Sequence, residues 1–239
     1  AAGICPILLT SNLKIMSLGF LLEKAQDAVI WRGPLKYNLI RQFLRDVNWG
    51  VLDYLVVDSP PGTGDEPLSV IQLMGQPASA IVVTTPQAVA VADVRRSITF
   101  CRQLALPVVG LIENMSGFAC PHCGKVTDLF KAGGGEALAR EMEVPFLGRV
   151  PLMPEVVVTS DEGTPFLQRY PDSPLARSFN EIVTRLHEAE TAFRNIGVYL
   201  NEMAAAAQSV ARGDLSAQIS PRSADDVLKV RTAMKKIRK

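Results

Sequence analysis

This chain of 239 residues is poor in several things, and each shortage narrows what it does. No stretch reaches roughly eighteen uninterrupted apolar residues, so the sequence offers no membrane-spanning helix. No basic-then-apolar leader opens it, and nothing in it reads as an export signal. Neither sign of charge is in excess: 25 Lys and Arg stand against 24 Asp and Glu, a formal net charge of +1. A general electrostatic pull toward nucleic acid is therefore not expected. Cysteine is scarce at four residues, and without a leader these point to a reducing cytoplasm rather than a disulfide framework. An initiator Met is also missing, so the chain is expected to be processed or to be a piece of something longer. What is present suits a globular protein: 48% hydrophobic and 21% charged residues, enough length for one sizeable α/β domain and an appendage. The last eleven residues carry Lys229, Arg231, Lys235, Lys236, Arg238 and Lys239 and no acid; they read as a solvated helix face.

Two of the few cysteines stand together, in Cys120-Pro121-His122-Cys123. Such a pair in a chain without an export signal points to metal or redox chemistry. Two thiolates fill neither a tetrahedral zinc site nor a four-iron cluster. Either other ligands come from elsewhere in the chain, or a second copy supplies an identical pair across a two-fold axis. Cys5 and Cys101 stand alone and are expected to be buried thiols, which makes sharing between subunits the sharper reading. His122 reads as a solvated loop imidazole, with a third ligand or a proton donor to sulfur as the alternatives. A thioredoxin-like role fits less well, because Gly124-Lys125 after the pair suggests a loop rather than a helix start.

Short apolar runs bounded by turn signals occur at Tyr54–Asp58, Ala80–Thr84, Val108–Ile112 and Phe146–Val150. They fit strands buried on both faces of a parallel sheet. Helical stretches fall between them, at about Leu35–Val47, Glu66–Leu73, Val89–Leu104 and Gly135–Glu143. The alternation predicts βαβ units in a doubly wound, mostly parallel sheet. Asp58 ends the first run and is followed by Ser59-Pro60-Pro61-Gly62-Thr63-Gly64-Asp65. An acid at the carboxyl end of a buried parallel strand sits where such sheets bind ligands. In nucleotide hydrolases it holds Mg²⁺, and the glycines of the turn let backbone N–H groups approach a γ-phosphate.

These blocks resemble the Mrp/Nbp/Ind family of deviant P-loop ATPases, which carry iron–sulfur clusters. The likeness covers residues 13–186 and lies in Leu13–Phe20, Ala28–Pro34, Leu52–Asp58, Pro60–Asp65 and Glu113–Phe118 leading into the cysteine pair. The resemblance implies a homodimer or paralogue heterodimer that holds a labile 4Fe–4S cluster between two Cys-x-x-Cys loops. It implies delivery to apo iron–sulfur proteins, with ATP and Mg²⁺ driving the cycle. By the same resemblance Cys120 and Cys123 are cluster ligands, and Asp58 is the Mg²⁺-side catalytic acid. Gly62 and Thr63 belong to the γ-phosphate-sensing turn, and Asn114 reads the adenine base. One departure is large: these residues contain no Gly-rich turn ending in Gly-Lys-Ser/Thr. Gly124-Lys125-Val126-Thr127 lacks the upstream glycine spacing, and Gly133-Gly134-Gly135 has no lysine in place. The loop and the first strand are expected to precede residue 1, and the chain as given is expected to bind ATP poorly and hydrolyse little. A sheet without that strand is expected to expose apolar edges. Met153 stands where relatives tend to have Asp.

From Ile182 the apolar residues Leu186, Ala189, Phe193, Ile196, Leu200, Met203, Ala207 and Val210 keep a spacing of four and three. That is a heptad seam, expected to take a partner. Ala211–Ser216 and Asp225–Met234 resemble the two helix junctions of a HAMP signalling module, a parallel four-helix dimer. The expected organisation is an incomplete P-loop domain over 1–188 and a HAMP-like helical segment over 189–239. The alternative function is a zinc-stapled or decayed domain that serves as an interaction module through the tail.

Overall fold

The computed structural model describes residues 3–22, 33–75, 77–120, 123 and 125–191. Two units emerge, Ala1–Ala78 and Ser79–Lys239.

In the first unit, β1 (Ile7–Thr10) pairs antiparallel with β2 (Leu13–Ile15) across a two-residue turn. Helices α1 (Gly33–Arg45) and α2 (Asp65–Met74) pack on each other. Asp65 and Glu66 occupy the first turn of α2, where the helix dipole favours negative charge. Gly75, at a φ of 63°, ends the helix by donating its N–H to Ile71. The Tyr54–Asp58 run, expected as a strand, is neither strand nor helix and is exposed along its whole length, Val56 to 88%. The correction has a physical cause. An apolar run becomes a strand only when a neighbour takes up its backbone hydrogen bonds, and among the described residues none pairs with it. Val47 is the one buried apolar side chain described in this unit, while Ile7, Leu8, Leu9 and Leu13 are exposed.

The second unit is the α/β part proper. Strands β3 (Ala80–Thr84), β4 (Val108–Glu113) and β7 (Phe146–Arg149) form a parallel sheet in the order β3-β4-β7. Helices α3 (Ala88–Gln103) and α4 (Gly134–Glu141) make the crossovers. Every residue of the central strand β4 except Ile112 is buried, as a strand covered on both faces requires. On β3 the alternation is visible: Val82 and Thr84 are buried, Ile81 and Val83 exposed. Between β4 and α4 the chain makes a small hairpin of β5 (Phe118–Ala119) and β6 (Val126–Thr127). Helices α5 (Glu155–Asp161) and α6 (Phe166–Arg169) follow, then α7, described over 174–191.

Helix α7 overturns part of the seam expectation. Ile182 joins Leu147, Val150 and Leu175 in one buried cluster, with Leu186 and Phe179 packed against it. Ala189 is buried as well. The first three heptad positions are thus core residues of this unit, because β7 and the loop after it leave an apolar face for them to cover. Met153 packs against the same cluster, so its thioether fills core rather than a ligand pocket. The remaining seam positions, Phe193 to Val210, lie outside the described residues, as do both HAMP-like junctions.

Candidate functional site

The cysteine pair sits at the tip of the β5–β6 hairpin. Phe118 pairs with Thr127 and Ala119 with Val126, and the Cys120 N–H donates to the Lys125 carbonyl at 3.0 Å, closing the loop. Cys120 is half-buried and Cys123 exposed. The pair therefore lies on a hairpin and not at a helix start, which removes the geometry of a thioredoxin-type thiol. His122 lies outside the described residues. Of the other two cysteines, Cys101 is buried on α3, where desolvation pushes its thiol pKa up. Cys5 is exposed, against expectation: it lies just before the β1–β2 hairpin, in the unit that buries little apolar surface. Among the described residues no group of three or more His, Cys, Asp or Glu gathers as a metal site. Among the described residues the hairpin offers two thiols and no third ligand.

The hairpin is tied to the carboxyl end of the parallel sheet. Asn114 follows β4 and donates its N–H to the Thr84 carbonyl at 2.7 Å. Its side-chain oxygen accepts the N–H of Met115 at 2.9 Å. That bond supports Met115 at a φ of 55°, a conformation that costs a residue with a Cβ roughly 1–2 kcal/mol. The Ser116 N–H then reaches the Val150 carbonyl at 3.0 Å, and Gly117 accepts from Leu152 at 2.8 Å. Asn114 thus stands at the crevice beyond the strand ends, where open α/β sheets place ligands.

Sequence reasoning passed over Glu113, the last residue of β4. Its side chain is completely buried and accepts three hydrogen bonds. These come from the Ser116 hydroxyl at 2.6 Å, the Gly133 N–H at 3.0 Å and the Gly135 N–H at 2.5 Å. Arg149 Nε stands 3.4 Å away, and Arg149 also pairs with Glu136 at 2.6 Å. The glycines at the start of α4 serve this contact. Gly133 takes a φ of 82°, a Cβ on Gly134 would run into the Pro86 carbonyl, and one on Gly135 would lie 2.9 Å from Thr84 Cγ2. A resident carboxylate therefore fills the anion position at this helix start. The available signal was a glycine run opening a helix without a lysine, preceded by an acid at a strand end.

Asp58, Gly62 and Thr63 belong to the first unit, and all three are exposed. Gly62 has a φ of 94° and open space where a Cβ would be, so the turn needs its glycine for conformation rather than for packing. An open cavity of about 320 Å³ lies beside the end of this turn, lined by Tyr37, Asn38, Asp65, Leu68 and Ser69. Lys36 pairs with Glu66 next to it and, through that hydrogen bond, holds the Glu66 carboxyl below its usual range. Among the described residues no glycine-rich turn with a lysine cradles a phosphate. These residues do not make a complete nucleotide site. No described helix is long and apolar enough to cross a membrane.

A family model described as the NUBPL iron-transfer P-loop NTPase (ParA) matches residues 1–187, and a HAMP domain model matches 192–238. A cytosolic Fe-S cluster assembly factor NUBP2 homolog of Nematostella vectensis is 52% identical over 180 residues, 74% of this chain and 67% of that one. The human cytosolic Fe-S cluster assembly factor NUBP2 is 52% identical over 194 residues, 80% of this chain and 72% of the relative. A nucleotide-binding protein of Archaeoglobus fulgidus, solved in complex with ADP and with cobalt present, superposes with a TM-score of 0.56 at 41% identity. That match covers 67% of this chain and 61% of the other. The chain spans about two thirds of the length of the relatives it matches. A parallel sheet flanked by helices, the motif blocks in their order and half-identical relatives lead to one conclusion: the chain belongs to the NUBPL-type iron-transfer P-loop NTPase family.

Proposed function

We propose that this chain carries an iron–sulfur cluster as cargo, bound by Cys120 and Cys123 together with the same pair of a second copy or a paralogue, and passes it to apo iron–sulfur proteins. The observation that carries the reading is the cysteine pair at the tip of a closed hairpin, with two thiols and, among the described residues, no third ligand gathered beside them. A four-iron cluster needs four protein ligands, and two such hairpins supply them. Support also comes from the relatives, named as cytosolic Fe-S cluster assembly factors; the same compartment is proposed here. A reducing cytoplasm keeps both cysteines reduced. The HAMP-matched tail is read as a pairing segment that raises the local concentration of the two hairpins.

The nucleotide part of the cycle is proposed to be weak in these 239 residues. The Archaeoglobus protein is in complex with ADP, but Asp58, Gly62, Thr63 and Asn114 alone give the β- and γ-phosphates no lysine and no N–H cradle. A titration that returned micromolar ATP affinity would refute this part.

The cargo reading is tested by anaerobic reconstitution with iron and sulfide, followed by iron, sulfide and zinc counts and a solution mass. About two irons and two sulfides per chain in a dimer, lost in Cys120→Ala/Cys123→Ala, is the expected result. About half a zinc per chain with no stable iron would replace the cargo reading with a four-thiolate structural staple.

A further inference from the structure

We infer that Glu113 is the positioning residue of the cysteine hairpin, a buried carboxyl group that locks the Asn114–Gly117 turn to the start of α4. The inference rests on the proposed cargo role of the hairpin for its purpose, but not for its geometry. Glu113 is completely buried and meets only donors: Ser116 Oγ at 2.6 Å, Gly133 N at 3.0 Å, Gly135 N at 2.5 Å and Arg149 Nε at 3.4 Å. Such a cage suits a carboxylate and no other side chain of that length, since every lone pair aimed at it finds an N–H or O–H.

The three hydrogen bonds join the end of β4, the turn that follows it and the start of α4. Gly133 and Gly135 belong to the start of α4. Ser116 belongs to the turn that launches the hairpin. Glu113 itself is the end of the central strand. Backbone bonds from Ser116 to Val150 and from Leu152 to Gly117 hold the hairpin base to the β7 side. The Glu113–Ser116 bond is the tie on the α4 side. With both, the base has a fixed direction, and Cys120, four residues beyond Ser116, starts from a fixed point. Without the Ser116 hydroxyl, the α4 cap survives on two N–H bonds while the hairpin loses one of its two supports. Arg149 closes the outside of the cage and is braced by Glu136.

The test separates a positioning role from a merely structural one. Amide hydrogen exchange is measured on the full metal-free chain in Ser116→Ala, Ser116→Thr and Glu113→Gln, comparing residues 114–120 with residues 133–141. In Ser116→Ala, exchange over 114–120 is expected to rise about tenfold while 133–141 stays unchanged, the loss of one bond to a charged acceptor. Ser116→Thr keeps the hydroxyl and is expected to restore the wild-type value. Glu113→Gln is expected to loosen both segments. Release of iron to a chelator from the reconstituted chain should follow the 114–120 exchange across the three variants. Equal exchange over 114–120 in Ser116→Ala and wild type would overturn the inference, leaving Glu113 as a helix cap. A uniform rise over both segments would overturn it too. Failure of the cargo reading shows separately, as absence of iron in the wild type with the exchange pattern intact.

Discussion

Removing the Glu113 carboxylate should be among the most destabilising single changes in the second unit, and the structure fixes both its size and its order among related changes. A hydrogen bond to a charged group contributes about 1.5–3 kcal/mol, and a buried donor left without a partner costs about 1–3 kcal/mol. Glu113→Ala removes the acceptor of three such bonds. The losses do not simply add. Gly133 is only partly buried and can turn to water, the Ser116 hydroxyl can rotate, and Arg149 keeps Glu136 and is 45% exposed. Gly135 is buried and has no such escape. The net expectation is about 3 kcal/mol, the lower end of what breaking a buried ion pair costs. Glu113→Gln should cost about 1–2 kcal/mol, because its oxygen still accepts from Gly135 while its amide donates to Ser116 but opposes the Gly133 N–H. Arg149→Ala should cost at most about 1 kcal/mol, since the cation is half-exposed and offset at 3.4 Å.

Urea unfolding followed by far-UV circular dichroism reads these differences. With a slope of about 1–3 kcal/mol/M for a domain of this size, Glu113→Ala should lower the midpoint by at least about 1 M. The order Glu113→Ala, then Glu113→Gln, then Arg149→Ala is the sharper test. Arg149→Ala matching Glu113→Ala would show that the ion pair, and not the backbone N–H groups, holds the carboxylate. Glu113→Gln within about 0.5 kcal/mol of wild type would show that the cage does not need a charge.

Three further outcomes are expected. Ile182→Ala should cost about 2–5 kcal/mol in the same unfolding measurement, as a buried core substitution; a loss below about 0.5 kcal/mol would return Ile182 to a partner-seeking seam. Timed alkylation of the folded, metal-free chain with iodoacetamide, read by peptide mass, should label exposed Cys5 and Cys123 well before Cys101, whose raised pKa and burial withhold the thiolate; early labelling of Cys101 would contradict its placement on the inner face of α3. The Arg95 hydrogen bonds hold Glu141 below its unfolded pKa, so the pair stabilises the fold above the unfolded carboxyl pKa and that contribution is lost as pH falls through the folded one. Glu141→Gln should therefore reduce the acid sensitivity of unfolding at low salt and have no effect at about 1 M salt, where exposed pairs are screened; an undiminished difference at high salt would contradict the exposed geometry.

The sequence disclosed the elements whose burial is decided locally. The runs at Ala80–Thr84 and Val108–Ile112 are apolar over a strand's length and flanked by turn residues, and both became parallel strands, the second extended by Glu113. Tyr54–Asp58 has the same composition and did not, because a strand is a property of two segments and composition describes one. Ile182, Leu186 and Ala189 have coiled-coil spacing, yet the same spacing serves a helix lying on a sheet edge, and Leu147 and Val150 provide that surface. The cysteine hairpin was legible as a motif. Its tether was not, since Glu113 meets partners twenty and twenty-two residues further on.

That tether explains a glycine run that looks like a phosphate loop and is not one. Gly133-Gly134-Gly135 opens a helix after a strand, which is the setting in which backbone N–H groups receive a phosphate. Here the two outer glycines already point their N–H groups at a carboxylate from the neighbouring strand, and Gly134 lies too close to Pro86 for any side chain. An incoming anion would have to displace a buried glutamate that has no solvent to move into. The helix start is therefore structural, and its charge complement works inward. The same carboxylate takes the Ser116 hydroxyl, so the direction of the cysteine hairpin is set by the cap of the helix behind it.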